Sequence, residues 1–241
     1  MSSTLSFKPP LTLQMAGNGK PSKLPIEFRT CTVDSAKDDL YSLRYRAFIK
    51  EGIITPRDDE MFFDVYDDLA TSCSLGAYHD GACVGTFRLA FGQGRPGAET
   101  MPCQSGFPLV ALLEKQGFHR VVEFGRMVVE PSLTNTSFRT TLYASLVRAG
   151  LIVTKAGGAD YGLISVHPKV ARFYELMCGF SVLARAESYP GINAPAVLLG
   201  RDFRILDQKR IAQNPFFYIA SNEVSLARAQ LFPVGQQAPA V

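Results

Sequence analysis

The sequence lacks the features that mark membrane-spanning, zinc-binding or nucleic-acid-binding proteins. Its apolar runs are all too short to cross a bilayer, which excludes a membrane-spanning protein. The five cysteines show no Cys-x-x-Cys spacing, so they are expected to be reduced core residues and not zinc ligands. A net charge of +3 is too small to indicate nucleic acid as a partner.

The first residues carry proline and serine but no basic segment followed by an apolar one. This pattern does not form a signal peptide, and the expected location is the cytoplasm. The 241 residues suffice for one large domain with appendages. We predict a disordered leader over residues 1–24, an α/β domain over 25–204 and a helical C-terminal extension over 205–241, which is interpretable as a lid, a packing appendage or a contact for a partner.

Apolar periodicity predicts a mixed α/β sheet with helices on both faces. After a strand over residues 26–33, Asp34 or Ser35 is expected to cap a helix whose apolar positions include Leu40, Leu43 and Ala47. Further strands are predicted over 73–78, 84–89, 121–129, 161–166 and 196–199, the first two joined by the turn His79-Asp80-Gly81. A long helix is predicted from Ser137 to the glycine pair Gly157-Gly158.

The motifs of the C-terminal half indicate a function. Ser165-Val-His-Pro168 reads as a strand end followed by a helix with proline in its first turn, and Gly179-Phe180 reads as the turn that ends this helix. This order resembles the closing half of the GCN5-related N-acyltransferase (GNAT) fold. The segment from Tyr189 to Leu199 is more specifically similar to the bacterial N-acyl amino acid synthases, which join acyl chains from acyl carrier protein to an amino acid.

A second group of short motifs lies earlier in the chain. In order they read Arg46-Ala-Phe48, Asp64-Val-Tyr-Asp67, Gly85-Thr-Phe-Arg88-Leu89 and Glu123-Phe-Gly-Arg126. This order is similar to that of the acyl-homoserine-lactone synthases, which share a fold and a carrier-protein donor with the N-acyl amino acid synthases. Together the resemblances cover roughly residues 41 to 203.

The resemblance implies a slot for the donor's pantetheine between the strands over 123–129 and 161–166. Glu123 is the candidate to accept the proton of the amine, and Arg126 is a candidate substrate-binding residue. The two side chains share one side of the strand only if a bulge intervenes, which Gly125 permits. The alternative is a structural ion pair between Glu123 and Arg126.

Three further charged residues are candidates for substrate binding. Arg88 is suited to gripping a substrate carboxylate or, alternatively, to pairing with Asp64 or Asp67. Asp64 and Asp67 are expected to hold the substrate ammonium or relay its proton, although acidic residues in a loop are more often solvated or capping.

Two residues of the C-terminal half are candidate catalytic groups. His167 is a possible general base, or the cap of the helix that Pro168 begins. Tyr174 resembles the tyrosine that many acetyltransferases place beside the leaving sulfur, or belongs to the packed face of its helix. Four phenylalanines, Phe87, Phe91, Phe107 and Phe118, are expected to line an apolar tunnel for the acyl chain or to belong to the core.

The chain departs from both resemblances in ways that bear on its substrates. Residues 132–140 contain no glycine where coenzyme A enzymes carry a glycine-rich pyrophosphate loop, which favours acyl-phosphopantetheine on acyl carrier protein over coenzyme A. On the helix that follows, Arg139, Arg148 and Lys155 either meet the acidic carrier or form a solvated face. Phe62 replaces a glutamate of the acyl-homoserine-lactone synthases and the chain has no tryptophan, which argues against S-adenosylmethionine.

The predicted function is therefore transfer of a long acyl chain from acyl carrier protein to the α-amine of an amino acid, with no metal or redox cofactor implied. One alternative is an acyl-homoserine-lactone (autoinducer) synthase. The other is a non-catalytic module that binds acyl carrier protein or lipid.

Overall fold

The computed structural model describes residues 4–5, 26–31, 37–93, 101–107, 113, 117–118, 120–189, 191–205 and 218–231. Its centre is a sheet of eight strands in the order β1-β2-β3-β4-β5-β6-β8-β7. The strands are β1 (Thr4–Leu5), β2 (Glu27–Cys31), β3 (Ser72–His79), β4 (Ala82–Gln93), β5 (Arg120–Val129), β6 (Tyr161–Val166), β7 (Ser181–Ala186) and β8 (Ala196–Asp202). Neighbours are antiparallel except β5 and β6, which run parallel.

Helices cover both faces of this sheet. They are α1 (Asp38–Lys50), α2 (Thr136–Ala156), α3 (Pro168–Cys178) and α4 (Ser221–Leu231), with 3₁₀ turns at Val65–Asp68 and Pro102–Ser105. On one face α1 is so close that a Cβ on Gly76 would lie 3.1 Å from Leu40. On the other face, a Cβ on Gly85 would lie 2.9 Å from Leu146 of α2. The predicted α/β architecture with helices on both faces is confirmed.

The elements around β6 follow from local sequence signals. Helix α2 ends at the glycine pair as predicted, and α3 begins at Pro168 and ends at Gly179, whose φ of 70° is the left-handed conformation that glycine adopts readily. The predicted hairpin is also present, because Asp80 and Gly81 both take positive φ, as its two-residue turn requires.

Two features of the local structure were not predicted from the sequence. Helix α1 begins at Asp38 with Lys37 at its N-cap position, and Asp34 and Ser35, which were expected to cap it, lie outside the described residues. Lys37 is almost buried and its ammonium donates to the carbonyl of Asp67 at 2.5 Å, which fixes the helix start there. Strand β7 was not predicted, since its exposed and half-exposed residues lack a clear alternating pattern.

The two ends of the chain are partly described. Thr4 and Leu5 pair with β2, and the rest of the predicted leader over 1–24 lies outside the described residues, so its disorder stays a prediction. In the extension, α4 packs on α2 through Ala227, and Glu223 accepts from Arg148 at 2.7 Å. This part of the extension is a packing appendage, and Arg148 pairs within the chain instead of forming a solvated face.

Candidate active site

Strands β5 and β6 diverge and leave a cavity between them. Their register runs from Val121 opposite Tyr161 to Phe124 opposite Ile164. Beyond this point lies a cavity of about 490 Å³, lined by Gly125–Val129 of β5 and by the end of β6, a size typical of small-molecule sites. The slot that the resemblance implies is therefore present as an open space, in the predicted position.

A β-bulge turns β5 toward this cavity. Thr86 of β4 lies opposite Val128 and Arg88 lies opposite Gly125, so two residues of β5 face one residue of β4. Arg126 occupies the bulge with a φ of 55°, a conformation rare for residues other than glycine. The bulge that Gly125 permits is therefore present, and Glu123 and Arg126 both line the cavity.

A buried chain of alternating charges lies beside the cavity. It runs Arg44, Asp67, Arg88, Asp64, Arg126. Arg44 donates to Asp67 at 2.7 Å, and Nη1 of Arg88 lies 2.9 Å from Oδ2 of Asp67. The same nitrogen donates to Asp64 at 2.5 Å, and Nη2 of Arg126 donates to the other oxygen of Asp64 at 2.6 Å. Removing one side chain of such a network leaves a buried group with fewer partners of opposite charge.

The sequence between α1 and β3 holds the two aspartates in place. Asp64 precedes a 3₁₀ turn and accepts from the backbone N–H of Tyr66 at 2.9 Å. Asp67 ends the reciprocal capping box by accepting from the N–H of Asp64 at 3.1 Å. Burial alone would raise the pKa of Asp64, but the charges of Arg88 and Arg126 outweigh it and lower this pKa to about 2.

The substrate-binding residues predicted from the sequence therefore divide into two groups. Arg88 and Arg126 line the cavity, whereas Asp64 and Asp67 are not among the described residues that do so. Arg88 is only 2% exposed and holds both aspartates, which is the second of the two interpretations given for it. The aspartates orient the arginines, and a direct contact with a substrate ammonium remains a prediction.

Glu123 is buried in the cavity wall with a single described backbone donor. It is 3% exposed, and its Oε2 accepts from the N–H of Cys103 at 2.8 Å. Burial raises the pKa of Glu123, against the opposing effects of the Cys103 hydrogen bonds and of the charges of Arg88 and Arg126. A carboxylate with a raised pKa is a stronger base than an exposed one, as acceptance of a proton from an amine requires.

The other two candidates lie on the opposite wall, formed by β6 and α3. Tyr174 is 4% exposed, its hydroxyl shares a hydrogen bond with that of Tyr143, and burial raises its pKa well above the usual value. His167 caps α3 by accepting from the N–H of Lys169 at 3.2 Å through Nδ1. Both side chains line the cavity, which is compatible with the catalytic roles predicted for them. These roles remain predictions.

The sequence analysis named Arg46 of α1 in a motif but overlooked Arg44 of the same helix. Arg46 is half exposed and pairs with Glu130 at 2.7 Å, whereas Arg44 is fully buried in the charge network. Helical spacing carried the signal, because Leu40, Leu43, Arg44 and Ala47 form one stripe of the helix that is buried. Tyr143 and Cys103 were also missed, since their places at the site depend on tertiary packing.

The four phenylalanines proposed for an acyl tunnel belong to the core. Phe87, Phe107 and Phe118 are buried and Phe91 packs against the main cluster. The described lining of the cavity includes none of the four. Within the described residues, no group of His, Cys, Asp or Glu could hold a metal ion, and no helix is both long and apolar enough to span a membrane.

A family model described as N-acyl amino acid synthase FeeM matches residues 39–202, which contain the cavity and all the residues of the charge network. The chain belongs to the FeeM family of N-acyl amino acid synthases. It is an acyltransferase, and the GNAT-like fold class expected from the sequence is confirmed.

Solved structures share this fold at low sequence identity. FeeM from uncultured soil microbes has a TM-score of 0.61 at 19% identity, covering 74% of this chain and 91% of FeeM. The acyl-homoserine-lactone synthase LasI has a TM-score of 0.56 at 17% identity, covering 81% and 96% of the two chains. BjaI, a coenzyme A-dependent acyl-homoserine-lactone synthase, has a TM-score of 0.52 at 18% identity, covering 82% of this chain and 96% of BjaI. Among curated sequences, none matches the chain significantly.

Proposed function

We propose that this FeeM-family protein transfers a long-chain acyl group from acyl carrier protein to the α-amine of a free amino acid. The observation that carries this proposal is the cavity between β5 and β6, which is lined both by the buried carboxylate of Glu123 and by the largely buried guanidinium of Arg126. Family membership supports N-acylation of an amino acid as the reaction class.

The reaction forms one C–N bond and breaks one C–S bond. Glu123 accepts a proton from the substrate ammonium, and the neutral nitrogen attacks the thioester carbonyl. The electron pair of the C–S bond leaves with sulfur as a thiolate. We assign to Tyr174, which lines the wall, the donation of a proton to that sulfur, after which solvent reprotonates its phenolate. Glu123 passes the first proton to solvent and then accepts the second proton that the nitrogen loses, so that the amide product keeps one N–H.

The donor end of the cavity favours a carrier protein. Coenzyme A enzymes bind a pyrophosphate with free N–H groups before the long helix, where a glycine-rich loop permits close approach. Here the carboxamide of Asn135 already accepts the N–H of Phe138 at 3.0 Å, and residues 132–140 carry no glycine. A donor that presents phosphopantetheine without a nucleotide does not need those groups. BjaI uses coenzyme A on the same fold, so the fold itself does not decide the donor.

Product analysis tests the proposal. Purified protein is incubated with palmitoyl-acyl carrier protein or palmitoyl-coenzyme A, the common amino acids and S-adenosylmethionine, and the products are identified by mass spectrometry. We expect an N-acyl amino acid, formed faster from the carrier protein, and no methylthioadenosine.

Each other result corrects a stated part. Equal or faster use of palmitoyl-coenzyme A would overturn the donor assignment. An acyl-homoserine lactone with release of methylthioadenosine would overturn the acceptor assignment. Carrier binding without any product would overturn catalysis and leave a binding module.

A further inference from the structure

The charge network beside the cavity contains one more positive than negative group. Three guanidinium groups, those of Arg44, Arg88 and Arg126, face the carboxylates of only two aspartates. Both Nη atoms of Arg88 contact aspartate oxygens, and Arg44 contacts Asp67 and Ser74. Arg44 and Arg126, at the two ends of this network, therefore each contact a single aspartate, and of these two Arg126 is the one that belongs to the described lining of the cavity.

Arg126 is largely buried and incompletely hydrogen-bonded. Its side chain is 10% exposed, and one nitrogen, Nη2, donates to Asp64. Its Nε is buried and has no hydrogen-bond partner among the described residues. A buried donor without a partner is destabilising, and an anionic ligand that accepts from it would remove that destabilisation.

Besides Asp64, this guanidinium has an aromatic neighbour in Phe62 and a carboxyl close enough to feel its charge in Glu123. The ring centroid of Phe62 lies 4.7 Å from the central carbon of the guanidinium and supplies an aromatic face. The bulge at φ 55° fixes the backbone of Arg126 and directs the residue into the cavity wall. A strained backbone and an unpaired donor at the same residue are typical of a ligand-binding position.

We infer that Arg126, and not Arg88, binds the carboxylate of the acceptor amino acid. This inference rests on the proposed function. The amine and carboxylate of an α-amino acid are attached to the same carbon, and Glu123 and Arg126 line the same cavity close enough for the arginine's charge to act on the carboxyl. Glu123 then takes the amine side and Arg126 the carboxylate side.

The test compares acids with amides. Leucine and phenylalanine are assayed against leucinamide and phenylalaninamide, with palmitoyl-acyl carrier protein, in wild type, Arg126→Gln, Arg126→Lys and the surface control Arg46→Gln. A charge-assisted hydrogen bond contributes about 1.5–3 kcal/mol, so wild type should prefer the better acid over its amide by roughly 10- to 100-fold in kcat/KM. The preference should persist in Arg46→Gln, fall to within about 3-fold in Arg126→Gln, and be intermediate in Arg126→Lys.

A binding measurement separates this inference from the proposed function. In thermal denaturation, free phenylalanine should raise the Tm of wild type and of Arg46→Gln, but not that of Arg126→Gln. A preference for acids that survives in Arg126→Gln, with product still formed, would overturn the inference and leave the proposed function intact. Carboxylate-dependent stabilisation without any acylation would overturn the proposed function and leave the inference standing.

Discussion

Replacing Asp64 with asparagine should remove a large pH-dependent part of the protein's stability. Asp64 has a pKa of about 2 in the folded protein against an ordinary value of 3.8, because it accepts from Arg88 and Arg126. With about 1.4 kcal/mol for each pKa unit, the charged form contributes about 2.5 kcal/mol to the free energy of unfolding. The side chain is 23% exposed, so solvent screening reduces this only in part.

The direction in which this contribution changes with pH follows from the lowered pKa of Asp64. The contribution is fully present above the unfolded pKa and declines as pH falls toward 2, with about half lost at pH 3. Urea denaturation followed by circular dichroism between pH 7 and pH 3 measures it, with exposed Asp58→Asn as the control. Asp64→Asn should be less stable at pH 7, and the difference from wild type should shrink by about 1 kcal/mol at pH 3. A difference that stays constant across this range would refute the pairing described for Asp64.

Three further predictions concern catalysis and the buried network. Glu123→Gln should lower kcat/KM by about 10²- to 10⁴-fold. The pKa of Glu123 lies above the ordinary 4.5, and kcat/KM of the wild type should rise as the pH rises through it. A pH profile that is the same in wild type and Glu123→Gln would contradict the role of Glu123 as a base. Tyr174→Phe should slow turnover roughly 10-fold with an alkyl thioester, and by less with an aryl thioester, because the more acidic aryl thiol needs less help from a proton donor. Equal slowing with both thioesters would exclude proton donation to sulfur. Arg44→Met should cost about 3–5 kcal/mol of unfolding free energy in urea, because buried Asp67 loses one of its two arginine partners. Arg46→Ala should cost less than about 1 kcal/mol, and similar losses in the two variants would contradict the buried network.

The elements that sequence reasoning placed well depend on short-range signals. Proline in the first turn of α3, Gly179 at its end and the glycine pair after α2 each specify a boundary by local backbone chemistry. The open slot beside β5 was placed by resemblance, and the bulge at Arg126 was allowed for by Gly125.

The partners of the charged residues were harder to predict. Whether Arg88 meets an aspartate or a substrate depends on a 3₁₀ turn that brings Asp64 and Asp67 beneath β4, more than twenty residues away in sequence. Arg44 was overlooked because a fully buried arginine is rare, and its burial is favourable only with Asp67 beside it. Such pairs are properties of the packed chain and not of any one segment.

The central claim is that N-acylation takes place in the cavity between β5 and β6, and blocking that cavity tests it most directly. A Cβ added to Gly125 meets nothing within 4 Å, so a larger side chain there should enter the open slot without disturbing the core. We expect wild type and Gly125→Ala to form N-acyl amino acid with one equivalent of free thiol, and Gly125→Leu to form neither at an unchanged Tm. Undiminished product from a folded Gly125→Leu would contradict the claim, because the reaction would then take place elsewhere.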